Sequence, residues 1–571
     1  MTPVTPVQER RQQVLRHAAE QALTLPLLSS GLWFHSDLRD NFYFATHLFA
    51  YTADGAESWA PSLRSSGRDL AADVLRRVLL LQDRDSSSAT YGHWPLHLGE
   101  TPAEAKPHPL PVELMGCLLL LFYERYGSRL PEDLANMMSA SLEHLYRSPV
   151  YRHRLHALNH HEAKHTAQKL LLGGRFSDES LLQEGKACTL RILEQIERFG
   201  FKEYGCLPWH WHWIQAFTCV WELAEDPETR SLAEQLLEKL WLLRAEAYVP
   251  GAWAGARSRV WPHDAPRDRN TSHDYIQFGD FPAPATFPRL EGAALFTYEV
   301  SGAVRNTAAA SVRPHEICRR IGFAGVEGPA EAWAHTYLYR TPDYALGGIW
   351  ERREEFDNEQ IRWALTLPLS GRPSQESVNQ LLFFHPGAGY REGDDRHASP
   401  YGEVLFHRGT VVQLWSLPVG CPGDTADFLV GCLPQGAWHF TESGGSARLD
   451  SGVFLSFRLL HGYTVTEKPD RFSLSSPLRG GAGGVILEVL STPEAALLGV
   501  RTGEEWAAYT EDASRIPQWR TAGPGSLSVC YNAHDDSRLF LELEEGRLKS
   551  RTIEGSPPEL AAYLISGTAS E

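Results

Sequence analysis

Side chains suited to proton transfer crowd into residues 152–280 of this chain. Asn159 and His160 begin one predicted helix, and Tyr204 stands further along the same stretch. Histidine and tyrosine can both remove and deliver protons near neutral pH when their surroundings tune them. The residue types therefore predict acid–base chemistry, with four catalytic candidates: Asn159, His160, Tyr204 and His210.

Tryptophan alternates with histidine at residues 209–213. Tryptophan and tyrosine present a flat apolar face with a polar edge, which suits stacking against a sugar ring. Packing alone explains a single tryptophan equally well, but several buried histidines would each need a polar partner. The pattern favours a sugar-binding cleft, and the expected contacts to substrate are Trp94, Glu203, Trp209, His212, Arg257, Arg259, His273 and Tyr275.

These residue types match what β-elimination beside a uronic acid requires. The C6 carboxylate must be neutralised so that the C5 proton becomes acidic, which suits Asn, His or Arg. Asn159 and His160 are the candidates for the carboxylate and the base, and Tyr204 for an acid or base. Arg257 and Arg259 are the candidate anion clamp. No metal or cofactor is required. The structural alternative is that Asn159 only caps its helix and Tyr204 is only a buried phenol.

One motif suggests a different chemistry. His161, Glu162 and His165 match H-E-x-x-H, in which two imidazoles at helical spacing bind zinc and the glutamate acts as base. Lys164 places a cation inside this motif, and no third ligand follows at a recognisable spacing. A zinc metallopeptidase through His161 and His165 is therefore the least favoured interpretation. A structural divalent metal in the C-terminal half is left open.

Two further functions remain open from the residues alone. A glycoside hydrolase would need two carboxylates flanking the scissile bond, one of them with a raised pKa. Four carboxylates in the same stretch are available for that role: Glu162, Glu203, Asp264 and Asp274. A non-catalytic carbohydrate-binding protein would use the same aromatic residues without turnover.

Composition bounds the partners. The 571 residues include 54 Lys and Arg against 71 Asp and Glu, a net charge of −17, which argues against a nucleic-acid partner. An acidic oligosaccharide or polysaccharide would need a local basic site, and a homo-oligomer is left open. No apolar run is long enough to span a membrane, and the N-terminus lacks a readable secretory signal, so a cytoplasmic protein is expected. The 8 cysteines form no CxxC pair and are expected to be reduced.

Helical periodicity fills the first half of the chain. Stripes of apolar residues recur over nine segments, and residues 226–228 combine an N-cap Asp with Pro at the first helical position. So many helices cannot share one bundle seam. We therefore expect an (α/α) toroid of helical hairpins over residues 1–325.

Short β-branched and aromatic runs separated by Gly, Pro, Asp and Ser follow from about residue 330. They predict an antiparallel β-sandwich over residues 326–556, interrupted by one helical insert at 493–507. The boundary is expected between Ser301 and Glu331, and residues 557–571 are expected to form a loose C-terminal tail.

An Asn159-His160 pair on one helix, a later Tyr204 and the segment 341–348 followed by Trp363 together resemble a known family. The chain is similar to the (α/α)-toroid plus β-sandwich polysaccharide lyases, especially the heparinase II/III-like and alginate-lyase-like groups. The resemblance implies cleavage of a uronate-containing glycan by β-elimination. It also implies a sandwich histidine or tyrosine in the cleft, for which His397, Tyr401 and His407 are candidates. Because no signal is readable, it implies a short imported oligosaccharide.

Overall fold

A computed structural model describes residues 5–55, 58–309, 313–323, 330, 332–352, 359–370, 377–418, 425–523, 525–544 and 546–566. Helices dominate as far as residue 309, and strands dominate from residue 315. The chain is therefore helical in its N-terminal half and β-rich in its C-terminal half, as the change in periodicity predicts.

The helices have the following bounds: α1 Pro6–Thr24, α2 Leu38–Asp54, α3 Pro61–Leu80, α4 Pro109–Tyr126, α5 Glu132–Arg147, α6 His160–Arg175, α7 Glu179–Phe199, α8 Leu207–Leu223, α9 Pro227–Glu246, α10 Ser272–Gln277, α11 Gly302–Ala309, α12 Thr492–Leu497 and α13 Gly503–Glu511. Local signals set many of their starts. In α9, the carboxylate of Asp226 accepts a hydrogen bond from the Thr229 backbone N–H at 2.9 Å, and Pro227 opens the first turn.

Successive helices alternate between two layers. Helices α2, α4, α6 and α8 are buried along most of their length, whereas α1, α3, α5, α7 and α9 each keep an exposed face. Each outer helix packs beside an inner one, and α10 joins α1 near the start of the chain. This alternation places the N-terminal ends of α6 and α8 next to each other in the inner layer.

The strands have the following bounds: β1 Trp94–Pro95, β2 Pro107–His108, β3 Tyr248–Val249, β4 Ala252–Trp253, β5 His315–Phe323, β6 Ala332–Arg340, β7 Ala345–Ile349, β8 Trp363–Thr366, β9 Gln380–Phe384, β10 Glu403–His407, β11 Thr410–Ser416, β12 Phe428–Pro434, β13 Ala437–Phe440, β14 Gly444–Arg448, β15 Phe454–Leu459, β16 Thr464–Glu467, β17 Arg471–Pro477, β18 Ala482–Leu490, β19 Gln518–Gly523, β20 Ser526–Asn532, β21 Arg538–Glu544, β22 Arg547–Ile553 and β23 Leu564–Ile565.

Three sheets build the C-terminal half. One has nine strands in the order β16-β17-β12-β9-β8-β7-β6-β5-β23, one has six in the order β10-β11-β18-β15-β14-β13, and one has four, β19 to β22. Leu365, Val485 and Leu541, one from each sheet, belong to the same apolar core. The antiparallel sandwich is thus confirmed in part, because β23 pairs with β5 in parallel.

The predicted domain boundary and C-terminal tail can be compared with the described residues. The boundary at residues 325 and 326 lies outside the described residues. The tail predicted at 557–571 is not loose where it is described, because Leu564 and Ile565 add a strand to the nine-stranded sheet. The helical insert is two short helices, α12 and α13, rather than one.

The two halves meet along the irregular segment 250–271. Arg257 forms an isolated antiparallel bridge with Ile361, and the Ser258 backbone N–H donates to the Tyr204 carbonyl at 2.9 Å. This segment therefore holds the loop before α8 against the nine-stranded sheet, next to β8. Over the described residues, every helix is too short or too polar to cross a bilayer.

Candidate active site

His160 and Glu203 form a buried pair at the centre of the histidine-rich stretch. Nδ1 of His160 lies 2.7 Å from Oε1 of Glu203, and the Trp213 indole N–H donates to Oε2 at 2.7 Å. An ionised carboxylate only accepts hydrogen bonds, so the proton on the His160 ring sits at Nδ1. This leaves Nε2 as the basic nitrogen.

The Nε2 atom of His160 is not consumed by the fold. It makes no hydrogen bond to the described residues. It is also not one of the buried polar atoms that lack both a partner and solvent contact, so solvent reaches it. Burial lowers the pKa of His160 to about 4, although the Glu203 carboxylate opposes that shift. Burial acts to raise the pKa of Glu203, but His160, the Trp213 indole and Lys202 together outweigh it and hold that pKa below its usual value. The pair is a neutral imidazole oriented by a carboxylate.

An aromatic ring packs on this imidazole, and a guanidinium lies over that aromatic ring. The ring of Trp209 stacks on His160 with centroids 4.4 Å apart and planes 16° apart. Arg259 lies over Trp209 at 5.3 Å and donates from Nε to Glu359 at 2.7 Å. Both Nη nitrogens of Arg259 make no hydrogen bond to the described residues, and about a quarter of its side chain is exposed. They are free to bind a carboxylate.

Asn159 is the N-cap of α6. Its side-chain oxygen accepts hydrogen bonds from the backbone N–H groups of His161 and Glu162 at 3.0 and 3.2 Å. That geometry turns the amide NH2 away from the helix, and this NH2 has no partner among the described residues. The cap and the positive end of the helix dipole therefore favour an anion beside His160.

His212, Glu291 and Arg289 form another polar cluster next to His160. The ring of His212 is 5.5 Å from that of His160, and its Nε2 lies 3.1 Å from Oε1 of Glu291. Arg289 donates to the same oxygen at 2.6 Å. Glu291 adopts a left-handed backbone with φ 47°, and such strain in a non-glycine residue is typical of functional sites. Burial lowers the pKa of His212, so this ring is neutral.

The H-E-x-x-H motif does not aim its two histidines at one metal. Nδ1 of His161 lies 2.8 Å from Oε2 of Glu113, and Nζ of Lys164 lies 2.5 Å from the same oxygen. Among the described residues, His161 joins no group of metal-ligating side chains. Glu113 and the buried ammonium occupy that face, so this arrangement does not support the interpretation as a zinc metallopeptidase through His161 and His165.

Tyr204 lies at the contact between the two halves. It packs with Ala256, Ile321 and Ile349 in a small apolar cluster, and its hydroxyl accepts a hydrogen bond from Gln360 at 2.9 Å. Gln360 also lines a cavity of the C-terminal half together with Arg362, Arg396 and Tyr401. The predicted role of Tyr204 in proton transfer stays a prediction.

Several predicted site residues are enclosed by the helical core. His210 and Trp94 are fully buried. Burial lowers the pKa of His210 to about 3. His273 stacks on Trp211 with centroids 4.8 Å apart. In this arrangement these side chains shape the core rather than touch a substrate.

Two more predicted contacts serve the fold. Arg257 is fully buried, pairs with Asp268 at 2.9 Å and donates to the Asp264 and Trp253 carbonyls. Tyr275 donates to the side chain of Gln13 at 2.6 Å, on the side of α1. The anion clamp predicted for Arg257 and Arg259 therefore reduces to Arg259.

The four carboxylates considered for hydrolysis are all buried. Glu203 is bound to His160 and Trp213, and Asp274 is paired with Arg244 at 2.7 Å. Glu162 faces His153 and His156 at 3.4 and 3.0 Å. Both oxygens of Asp264 are sealed without a partner, and burial raises its pKa to about 8.

The candidates from the C-terminal half have different partners. His397 is 3.2 Å from Asp394, and His407 is 2.8 Å from Asp535 beside the four-stranded sheet. Tyr401 lines the cavity that Gln360 shares. Of the three, the cavity connects only Tyr401 with the partner of Tyr204.

Sequence reasoning missed Glu113, Arg289 and Glu291. Glu113 lies in an apolar stretch of α4, where a lone glutamate among leucines was the available signal. Arg289 and Glu291 lie in an irregular segment, and Glu291 precedes Gly292, whose φ is 79°. Charged residues beside glycine in a loop were the signal there.

Comparisons with known proteins yield likeness in structure only. No family model and no curated protein matches the sequence. A chondroitin AC lyase of Streptomyces coelicolor A3, solved with chondroitin sulphate, superposes with a TM-score of 0.46 and 12% identity, covering 95% of this chain and 90% of that one. A chondroitinase AC lyase studied with oligosaccharides gives a TM-score of 0.39 and 10% identity, covering 98% and 99%. Similarity at this level assigns neither a family nor an activity.

Proposed function

We propose that this chain cleaves a uronate-containing glycan by β-elimination, with His160 as the base. The observation that carries the proposal is the Glu203–His160 pair, which leaves Nε2 of His160 without a hydrogen bond to the described residues, next in sequence to the N-cap Asn159. A neutral imidazole held in one tautomer by a buried carboxylate is the usual arrangement of a general base.

The substrate carboxylate would bind between Asn159 and Arg259. Two hydrogen-bond donors on that carboxylate withdraw charge and stabilise the enolate-like anion that forms when C5 loses its proton. Trp209 stacks on His160 and holds the plane of the base. A bound carboxylate also opposes the burial effect on His160, so the pKa of the base rises toward neutrality in the complex.

The reaction then balances without a cofactor. Nε2 of His160 takes the proton from C5, the electron pair forms the C4–C5 double bond, and the C4–O4 bond breaks. O4 leaves with a proton returned by the His160 imidazolium or by Tyr204. The variant Tyr204→Phe separates these donors, because only the second requires the phenol.

The buried carboxylates of the candidate site are not arranged for glycoside hydrolysis. A hydrolase needs one carboxyl group as acid and another as base or nucleophile beside the bond. Asp264 has the raised pKa of an acid, but its oxygens are sealed from solvent. Glu203 is already occupied by two hydrogen bonds.

Ultraviolet absorbance tests the proposal. The 571-residue chain is incubated with alginate, glucuronan, hyaluronan, chondroitin and heparan oligosaccharides, and the absorbance of the conjugated double bond in the product is followed. We expect an absorbance rise on at least one glycan with the wild type and none with His160→Ala. New reducing ends without absorbance would indicate hydrolysis and contradict the proposal.

A further inference from the structure

A second cluster of histidines lies on another face of the first turns of α6. His153, Glu162 and His165 each offer one ligand atom, and these atoms all lie within 4.8 Å of one another. Among the described residues this is the one such group of three or more. His153 comes from the loop before α6, whereas Glu162 and His165 belong to the helix itself. A metal ion bound by all three would therefore join the loop to the helix.

The spacing within the cluster fits a small tetrahedral cation. Nε2 of His153 lies 3.4 Å from Oε1 of Glu162 and 3.3 Å from Nδ1 of His165. Zinc bonds to nitrogen and carboxylate oxygen are about 2.0–2.2 Å long, so ligand atoms at tetrahedral corners stand about 3.3–3.6 Å apart. Both separations fall in that range, and the third pair, Glu162 and His165, lies within 4.8 Å.

The surroundings also match a zinc site. The remaining nitrogen of His165, Nε2, lies 3.3 Å from Oε1 of Glu113. This nitrogen makes no hydrogen bond to the described residues, and a carboxylate in this position is the usual acceptor for the second nitrogen of a ligating imidazole. His156 is not part of this group: its Nδ1 lies 3.0 Å from Oε1 of Glu162 and 3.0 Å from the Arg154 carbonyl, on a mostly exposed side chain.

The ammonium of Lys169, which contacts the His153 backbone, is already paired. Lys169 donates to the His153 carbonyl at 2.6 Å and pairs with Glu184 at 2.6 Å. Its charge therefore does not exclude a cation from the cluster. The same contact holds the His153 backbone close to α6.

We propose that His153, Glu162 and His165 bind Zn²⁺, and that the ion fastens the loop before Asn159 to the first turns of α6. The site shares Glu162 and His165 with the sequence motif but replaces His161 by His153. It lies beside the helix start that presents Asn159 and His160, and it does not depend on the proposed lyase activity.

Metal analysis of the full chain tests this site. Wild type, His153→Ala and His161→Ala are stripped with a chelator, dialysed against Zn²⁺, and measured for bound metal, affinity and melting temperature. We expect the wild type and His161→Ala each to bind one zinc per chain. Both should melt at a higher temperature with Zn²⁺ than after treatment with the chelator. For His153→Ala we expect at least about tenfold weaker binding.

The design separates this site from the motif. Loss of zinc in His161→Ala together with retention in His153→Ala would restore the H-E-x-x-H arrangement and overturn the proposal. Absence of zinc from the wild type would overturn it as well. Because His153 lies in a partly exposed loop, its variant is expected to fold, and Glu162→Gln provides a second ligand variant with unchanged side-chain size.

Discussion

The variant Glu203→Gln tests how the buried carboxylate controls the base. Glu203 accepts one hydrogen bond from His160 and one from the Trp213 indole, each at 2.7 Å. An indole N–H can only donate. In Glu203→Gln the new amide oxygen must therefore face Trp213, which turns the amide NH2 toward Nδ1 of His160 and drives the ring proton to Nε2.

The size of this effect follows from the alternative orientation. Keeping the oxygen toward His160 would set the amide NH2 against the indole N–H and leave buried donors unpaired, which costs about 1–3 kcal/mol. The productive tautomer is then disfavoured by about 5- to 150-fold. We expect turnover on the identified glycan to fall by that factor, with melting temperature little changed.

A second substitution should reverse part of the loss. In Glu203→Gln with Trp213→Phe, the indole N–H is gone and the amide oxygen can turn to His160. Nitrogen NMR of the imidazole should show the proton at Nδ1 in the wild type and the double variant, and at Nε2 in the single variant. Unchanged turnover in Glu203→Gln, or an Nδ1 proton in that variant, would refute the reasoning.

Three further outcomes can be measured. The acid limb of kcat/KM should have its midpoint near pH 4, because the base must be neutral and burial lowers the pKa of His160 to about 4; a midpoint near 6.5 would contradict this placement. Burial raises the pKa of Asp264 from 3.8 to about 8, so the folded chain holds a proton that the unfolded chain releases between those values, and stability falls as pH rises. Asp264→Asn should therefore gain melting temperature over the wild type at pH 8 relative to pH 5, and an equal difference at both would refute it. Arg257→Ala should lower the free energy of unfolding by about 3–5 kcal/mol because it strands buried Asp268, whereas the partly exposed Arg259→Ala should raise KM and leave unfolding nearly unchanged.

Local sequence signals carried much of the fold. Apolar stripes and caps such as Asp226 with Pro227 predict helices because helix formation depends on neighbours within a few residues. The strands of the C-terminal half followed from alternating β-branched and aromatic runs. The parallel pairing of β23 with β5 was missed, because it joins residues far apart in the chain.

The sequence predicted which residue types form the site, but not which residues contact one another there. Asn159 and His160 were found because a cap and a histidine stand together in the sequence. That Glu203 would orient His160 depends on the packing of α6 against the start of α8, which local patterns do not encode. Arg257 shows the converse, since a cationic residue in a loop was assigned to substrate while the structure buries it against Asp268.

The mass of the cleavage product is the most direct test of the central claim. The wild type and His160→Ala are incubated with a uronate oligosaccharide of defined length, and the products are weighed by mass spectrometry. Elimination by His160 predicts one fragment lighter by a water molecule than its hydrolytic counterpart, formed by the wild type and lost in His160→Ala. Fragments that carry the full added water, or an unchanged yield of the unsaturated fragment from His160→Ala, would contradict the account.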